Sequence, residues 1–211
     1  VQNITLNGVD IQNTQKYGYY LAEWEDVKLL NCKMNTLSDG IHCHGGSRLT
    51  VDNLHVRYVA DDIIALDCNS WTSNRFSTGN ISDVNIRNVQ VDSAGLSNGI
   101  AIFPGIDATG KNGRVKNVYV DGLTGQIGSN TIWVRQYSTT PTDPESGRSF
   151  GGYAENLHFR NINVRHGVGQ TDVILGIDSI KNITFENFTS DYQGKINIEK
   201  GVIDKISMTN M

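Results

Sequence analysis

The apolar and polar residues of this chain repeat a seven-residue pattern along its length. The pattern reads Asn or Asp, apolar, any residue, apolar, any residue, Asn or Gly, apolar, and Arg or Lys opens two copies. The eight copies are NITLNGV, DVKLLNC, RLTVDNL, DVNIRNV, NVYVDGL, NLHFRNI, NITFENF and KISMTNM. Because apolar positions alternate inside each copy, the pattern predicts β-strands and not helices.

The spacing of the copies predicts how these strands associate. The sixth residues are Gly8, Asn31, Asn53, Asn88, Gly122, Asn161, Asn187 and Asn210. Subtracting neighbouring positions gives spacings of 23, 22, 35, 34, 39, 26 and 23 residues, a base period of 22 to 23 with insertions in the middle copies. Short strands at this period are typical of a parallel β-helix, a solenoid whose coils stack on one another. The recurring Asn and Gly fit sharp bends, and stacked Asn side chains are expected to form a hydrogen-bonded ladder.

A second apolar strand follows the first in most copies. The aligned segments are GYYLA, GIHCH, DIIAL, GIAIF, TIWVR and DVILG. Alternation predicts one interior and one outward face in each segment. The predicted interior residues are Tyr19, Leu21, Ile41, Cys43, Ile63, Ala65, Ile100, Ile102, Ile132, Val134, Val173 and Leu175. The predicted outward residues are Tyr20, Ala22, His42, His44, Ile64, Leu66, Ala101, Phe103, Trp133, Arg135, Ile174 and Gly176.

The predicted outward face is too apolar for an ordinary solvent-exposed surface. Three insertions follow this strand, CNSWTSNRFSTGN, PGIDATGKNG and YSTTPTDPESGRSFGG. Loops on one edge of a repeat protein are where binding sites are usually built, so we expect a groove with this face as its floor. Coverage of Ile64, Leu66 and Ile174 by a loop or by another chain is an equally good explanation.

Two adjacent carboxylates, Asp61 and Asp62, precede the third of these second strands. Asp39 lies 22 residues before Asp61, one period earlier. Because neighbouring strands lie about 4.8 Å apart, the three carboxylates are predicted to cluster. Crowding of like charges separates their pKa values, which leaves one group protonated as an acid and another ionised as a base, as hydrolysis of a glycosidic bond requires. The alternative is that Asp61 and Asp62 only bind the amides of a turn.

The segment SDG from Ser38, followed 22 residues later by ADD and an apolar strand, resembles the NTDG and DD motifs of glycoside hydrolase family 28, the polygalacturonase-like enzymes. The motif resemblance covers Ser38–Ala65, whereas the repeat resemblance covers essentially the whole chain. The eight copies predict an all-β, right-handed parallel β-helix of about seven to eight coils. The resemblance implies the same right-handed fold and an inverting hydrolase. It implies that Asp61 is the general acid, and that Asp39 and Asp62 position and activate water.

The sequence departs from that family at two places. Asn98 before Gly99 stands where the family has histidine before glycine, and Trp133 and Arg135 stand where it has an Arg-x-Lys pair that grips the substrate carboxylate. With one cation left, a galacturonate substrate loses support, and aromatic faces for sugar rings take its place. The predicted substrate-binding residues are His42, Asn98, Phe103, Trp133, Arg135, Trp71 and Tyr137.

No cofactor and no metal site are predicted. His42 and His44 lie on one face, as a chelating pair would, but the predicted alternation puts no carboxylate or Cys on that face. Cys32, Cys43 and Cys68 match no zinc signature, so they are interpreted as small buried apolar residues.

Composition and chain ends set the remaining expectations. A net charge of -4 without a basic patch argues against nucleic acid, and no apolar run approaches the roughly 18 residues of a membrane span. The 211 residues suit one domain spanning residues 1–211. Because the chain begins and ends inside a repeat without a capping helix, we expect a fragment of a longer chain or ends covered by other subunits.

Three functions from different classes stand at this stage. The leading one is a polysaccharide-degrading hydrolase. The second is a calcium-dependent polysaccharide lyase, against which the scarcity of Lys and Arg on the predicted outward face argues. The third is a non-catalytic β-helix used as an adhesin or virion segment. Phage tailspikes also resemble this fold, which implies a secreted or virion-associated protein, a polysaccharide partner and, for a tailspike, a homotrimer.

Overall fold

The computed structural model describes residues 1–68, 79–95, 98–105, 113–135, 152–166, 173–191 and 196–211. The regular structure of these residues is all β, and every strand pairing among them is parallel. Within these ranges, no helix reaches the length and hydropathy needed to cross a membrane. The strands are β1 (Gln2–Asn7), β2 (Asp10–Thr14), β3 (Tyr19–Leu21), β4 (Trp24–Leu30), β5 (Lys33–Thr36), β6 (Ile41–Cys43), β7 (Gly46–Val59), β8 (Ile64–Asp67), β9 (Ile81–Val91), β10 (Ile100–Phe103), β11 (Arg114–Ile127), β12 (Ile132–Arg135), β13 (Tyr153–His166), β14 (Val173–Ser190), β15 (Ile196–Ile203) and β16 (Ile206–Thr209).

The eight copies of the repeat pair with one another in sequence order. The sixteen strands form one sheet whose main path is β1-β4-β7-β9-β11-β13-β14-β12-β10-β8-β6-β3. Along its first part, and in the pairing of β14 with β16 beside this path, the second residue of each copy is in register with the second residue of the next. These residues are Ile4, Val27, Leu49, Val84, Val118, Leu157, Ile183 and Ile206. The repeat found in the sequence is therefore the unit of strand pairing.

The bends of the repeat use left-handed backbone, as the recurring Asn and Gly predict. The sixth residues have φ between 52° and 57° where they are Asn, and 72° and 87° at Gly8 and Gly122. Asn tolerates this region better than most residues because its short side chain bonds to nearby backbone. The first residue of every copy but the last is also left-handed, with φ between 53° and 61°, which the repeat pattern does not predict.

Side chains at these bends stack into hydrogen-bonded ladders. At the sixth position, Asn53 donates to Asn31, and Asn31 donates to Asn7, at 2.7 and 2.9 Å. At the first position, each amide donates to the residue one copy earlier, over 2.9, 3.0 and 3.1 Å. We call this second stack the bend ladder; its members are Asp83, Asn117, Asn156 and Asn182. The predicted ladder of Asn side chains is confirmed.

The interior predicted for the second strands is correct except in β8. Ile41 and Cys43 of β6 are in register with Ile64 and Leu66 of β8, which in turn face Ile100 and Ile102 of β10. Ile64 and Leu66 are 0% exposed and lie in the main core, so their predicted outward orientation is wrong.

Ala65, predicted to be interior, instead packs with Ala101 and Phe103 in a separate small cluster. The prediction failed because Ile63-Ile64-Ala65-Leu66 is a continuous apolar run, in which alternation does not fix the orientation. Ile63, at the bend before the strand, is buried in the main core as well. For two other predicted outward residues, Ile174 and Gly176, burial lies outside the described part of the structure.

The three cysteines are buried in the main core and form no disulfide, which agrees with their interpretation as small apolar residues. Burial raises the pKa of the Cys43 thiol, which keeps it in the neutral form.

Candidate functional site

Four polar residues occupy the position just before successive second strands. Each side chain is at most 9% exposed, so all four are buried. Asn130 donates to Asn98 at 2.7 Å, and Asn98 donates to Asp62 at 2.6 Å. The backbone N–H of Asp62 donates to Asp39 Oδ1 at 3.3 Å. We call this stack the acid ladder; its members are Asp39, Asp62, Asn98 and Asn130.

Close backbone packing explains why two ladder members are followed by glycine. A Cβ atom at Gly40 would lie 2.5 Å from the carbonyl oxygen of Ile63, and one at Gly99 would lie 2.4 Å from that of Thr131. A Cβ atom essentially never lies this close to a non-bonded oxygen, so glycine is required where the strands approach. Close packing of the backbone therefore explains the glycine in the dipeptides Asp39-Gly40 and Asn98-Gly99.

Asp62, and not Asp61, is the residue aligned with Asp39, which corrects the predicted alignment. Ile41 pairs with Ile64, a separation of 23 residues, whereas Tyr19 pairs with Ile41 at 22. The extra residue lies in the turn before β8. It displaces Asp61 to the exposed side of the ladder, where its N–H donates to the carbonyl of Ser38 at 3.4 Å.

The three aspartates do form one cluster. One oxygen from each of Asp39, Asp61 and Asp62 lies within 4.8 Å of the others. Burial, and next the charge of Asp39, raise the pKa of Asp62 to about 8, so this carboxyl holds a proton at neutral pH. Burial and the charge of Asp39 also raise the pKa of Asp61, which is exposed. The cluster therefore combines a buried protonated group with an accessible carboxyl.

His42 links this cluster to a second one. Its Nδ1 bonds the carboxylate of Asp39, and its ring stacks on Tyr20 at 5.8 Å and lies 4.8 Å from Tyr17. Burial lowers the pKa of His42, but the hydrogen bond and charge of Asp39 outweigh it, and the pKa is raised overall. Tyr17 and Tyr20 were not among the predicted binding residues, although the segment KYGYY places three tyrosines at a second strand.

The second cluster joins His42, His44 and Asp67. His42 Nε2 lies 3.1 Å from His44 Nε2 and 3.9 Å from Asp67 Oδ2, and one ligand atom from each residue lies within 4.8 Å of the others. Burial and the charge of His42 lower the pKa of His44 to about 4. The prediction that no carboxylate lies on the same strand face as His42 and His44 is therefore wrong. Asp67 was missed because the orientation of β8 was assigned one residue out of phase.

The predicted groove floor is closed over part of its length. We call the row formed by Tyr20, His42, Ala65, Ala101 and Trp133 the outward row; it runs across β3, β6, β8, β10 and β12. Both alanines are fully buried, while the row is exposed at Tyr20 and half-buried at Trp133. The carboxylate cluster is therefore exposed to solvent on the side of Asp61 and Tyr20.

The remaining predicted binding residues fall into two groups. Phe103 is buried, and Trp133 packs edge-on against it at 5.3 Å with Arg135 above the Trp133 ring. These three form one packed unit in which Phe103 supports Trp133. Trp71 and Tyr137 lie outside the described residues.

A surface groove of about 360 Å³ lies elsewhere, over β9, β11, β13 and β14. It contains the stacked rings of Tyr119 and His158 and the ion pair of Arg160 with Asp121. The hydrogen bond from Arg160 lowers the pKa of Asp121, so this carboxylate is a weak base tied to its partner. The groove contains no cluster of carboxylates like that at Asp39.

The two clusters around Asp39 and His42 are the chemical features from which a function can be inferred. In comparisons with protein-family models, curated proteins and solved structures, no match to this chain was found.

Proposed function

We propose that this protein is a polysaccharide-degrading glycoside hydrolase built on a right-handed parallel β-helix of about seven to eight coils. The in-register parallel pairing of eight repeat copies supports that architecture. The observation that carries the activity is the cluster of Asp39, Asp61 and Asp62, whose oxygens lie within 4.8 Å and in which two pKa values are raised. Carboxyl groups in different protonation states are what acid and base catalysis of glycoside cleavage needs.

Asp61 is the general acid in this proposal. It is the exposed member of the cluster, so its carboxyl can reach a glycosidic oxygen, and its raised pKa favours the protonated form. Asp39 accepts a proton from the attacking water while the water oxygen bonds to the anomeric carbon. The bond from that carbon to the leaving oxygen breaks, and Asp61 gives its proton to the leaving oxygen. Asp62 keeps its proton and holds the water by a hydrogen bond.

The aromatic residues beside the cluster suit binding of a polysaccharide, as expected for a secreted or virion-associated protein. The rings of Tyr17 and Tyr20 stack at 5.1 Å next to His42, and Trp133 lies at the other end of the outward row. Because the buried Ala65 and Ala101 close the outward row between Tyr20 and Trp133, a sugar chain is expected to pack on the end of the row at Tyr17 and Tyr20. Aromatic faces pack on sugar rings without requiring a charged sugar.

The stereochemical outcome separates two versions of the mechanism. The motif resemblance implies inversion, for which paired carboxyl groups are usually about 6.5 to 9.5 Å apart, whereas retaining pairs are about 5 Å apart. One oxygen from each aspartate of this cluster lies within 4.8 Å of the others, so the water mechanism described above has to be tested against a retaining one. Nuclear magnetic resonance of the first anomer released by the enzyme decides between a water and a carboxylate as nucleophile.

The test of the hydrolase is a panel of bacterial surface and plant polysaccharides incubated with the wild-type protein and with Asp61→Asn. We expect new reducing ends without new ultraviolet absorbance, and a loss of about 10² to 10⁴-fold in rate for Asp61→Asn. New absorbance would instead identify a lyase. Glycan binding without any release of reducing ends would identify a non-catalytic adhesin.

A further inference from the structure

Two buried histidines, His42 of β6 and His44 just after this strand, face one another through the same ring atom. His42 Nε2 and His44 Nε2 are 3.1 Å apart. Their other nitrogens are both engaged: His42 Nδ1 bonds the carboxylate of Asp39, and His44 Nδ1 lies 3.1 Å from the backbone carbonyl of Asp67. Because a carboxylate and a carbonyl oxygen only accept hydrogen bonds, each Nδ1 carries a hydrogen.

This arrangement fixes what lies between the rings. In a neutral imidazole with hydrogen on Nδ1, Nε2 has a lone pair and no hydrogen. Two neutral rings would therefore direct two lone pairs at the same point, which is unfavourable unless a positive charge lies between them. Either a proton or a metal cation supplies that charge.

The distances suit a metal ion. Two imidazole nitrogens bound at about 2.0 to 2.1 Å to a tetrahedral Zn²⁺ lie about 3.4 Å apart, close to the 3.1 Å between His42 and His44. The carboxylate of Asp67 stands at the same place as a third ligand, with Oδ2 3.9 Å from His42 Nε2. A shift of about half an ångström in Asp67 brings its oxygen to the spacing of a tetrahedral edge.

The surroundings are those of a rigid metal site. His44 is fully buried and Asp67 is 1% exposed. Trp24 Nε1 donates to the carbonyl of His44 at 2.6 Å, which fixes the backbone at the end of β6. Asp39 and the carbonyl of Asp67 orient the two rings, as hydrogen-bond acceptors behind metal-binding histidines usually do.

We propose that His42, His44 and Asp67 form a binding site for one divalent transition-metal ion of the Zn²⁺ type. Two imidazoles and one carboxylate favour such an ion over Ca²⁺ or Mg²⁺, which prefer oxygen ligands. The site connects the neighbouring strands β6 and β8, so the ion ties together the two strands that follow the clustered aspartates. It does not depend on the hydrolase activity.

Titration of the full chain with Co²⁺ tests the site, since Co²⁺ has visible absorption bands that report its ligands. We expect one Co²⁺ per chain, with bands that Zn²⁺ abolishes by displacement and that equal concentrations of Ca²⁺ or Mg²⁺ do not. Absence of saturable binding of one Co²⁺ or Zn²⁺ by the folded wild-type protein would overturn the proposal, and would leave a shared proton between the rings.

Variants locate the ion. We expect His42→Gln and Asp67→Asn to weaken binding by more than about 100-fold, and Asp39→Asn, which only orients His42, to weaken it by about 10- to 100-fold. His55→Gln is the matched control, because His55 also pairs with an aspartate, Asp92, but on the surface. Circular dichroism and melting temperature establish that each variant is folded.

A different location of the ion would also overturn the proposal. If Co²⁺ binding survives Asp67→Asn but is lost in Asp61→Asn, the ion belongs to the cluster of three carboxylates. Metal content is measured without substrate, so a negative result here and a failure of the polysaccharide assay are distinguishable.

Discussion

The bend ladder and the acid ladder have similar hydrogen-bond geometry and opposite electrostatics. In the bend ladder, Asn117 donates to Asp83 at 2.9 Å, and this hydrogen bond lowers the pKa of Asp83. In the acid ladder, Asn98 donates to Asp62 at 2.6 Å, yet the pKa of Asp62 rises to about 8. An amide donor is common to both ladders, so it does not explain the difference.

Burial and a second carboxylate explain it. Asp83 is partly exposed, and the first cause of its shift is the hydrogen bond. Asp62 is 6% exposed and lies beside the charge of Asp39, so burial and repulsion both disfavour its ionised form. A repeat protein that needs only a bend can use Asn at such a place. Two buried carboxylates reduce the stability of the fold, and we therefore infer that Asp39 and Asp62 have a catalytic role.

The largest expected effect comes from the same substitution in the two ladders. Asp39→Asn removes the group that accepts the proton of water, so we expect turnover to fall by about 10² to 10⁴-fold. Asp83→Asn keeps the bend, because Asn adopts the φ of 58° at Asp83, and we expect unchanged turnover. Initial rates on the best polysaccharide measure both. Equal losses in the two variants would mean that the acid ladder has no special role.

The orientation of β8 determines which aspartate belongs to the acid ladder. The stability of a Leu66 variant tests this orientation. Leu66 is fully buried, so Leu66→Ala is expected to reduce the free energy of unfolding by about 2 to 5 kcal/mol. Tyr20→Ala, on the exposed end of the outward row, is expected to cost less than about 1 kcal/mol. Urea unfolding measures both. A small effect of Leu66→Ala would restore the orientation predicted from the sequence and align Asp61 with Asp39.

Much of the fold was predictable from sequence because each repeat copy has strict alternation and a fixed bend residue. Asn31 and Asn53 are recognisable as bends without a structure, and their left-handed φ values and mutual hydrogen bond agree. The clustering of Asp39 with Asp61 and Asp62 followed from the period alone. These features depend on local sequence and on a nearly constant spacing.

The orientation of β8 and the alignment of Asp62 with Asp39 could not be predicted, because both depend on one inserted residue that the alternation of apolar positions does not reveal. The run Ile63–Leu66 is apolar throughout, so nothing in it indicates which side chains face the core. The resulting error of one residue hid Asp67 from the histidines and aligned Asp61 in place of Asp62. The left-handed backbone at Arg48 was equally unpredictable, because a long side chain carries no signal for it.

The raised pKa of Asp62 also predicts a smaller effect, a dependence of the free energy of unfolding on pH. The pKa of Asp62 is about 8 in the folded protein and near 3.8 when unfolded, so between these values the folded state binds the extra proton. Its stabilising contribution is present below about pH 4 and is lost as pH rises towards 8. We expect the difference in unfolding free energy between wild type and Asp62→Asn to fall across this window by an amount on the order of a few kcal/mol.

Denaturant titrations at several pH values measure that difference, and Asp83→Asn is the control. The pKa of Asp83 is lowered on folding, so its contribution has the opposite sign: it is present above the unfolded pKa and is lost as pH falls. A difference for Asp62→Asn that stays constant from pH 4 to 8 would contradict the raised pKa.

A carboxyl-carbon nuclear magnetic resonance titration of Asp62 and Asp83 in the same sample tests most directly whether Asp62 holds a proton at neutral pH. We expect the aspartate cluster to keep one proton, seen at Asp62, until about pH 8, while Asp83 ionises below the usual range of an aspartate. Because the clustered carboxyls titrate together, the step near pH 8 belongs to the cluster as a whole. Ionisation of Asp62 at or below about pH 4, together with Asp83, would contradict the claim that this site holds a proton for catalysis at neutral pH.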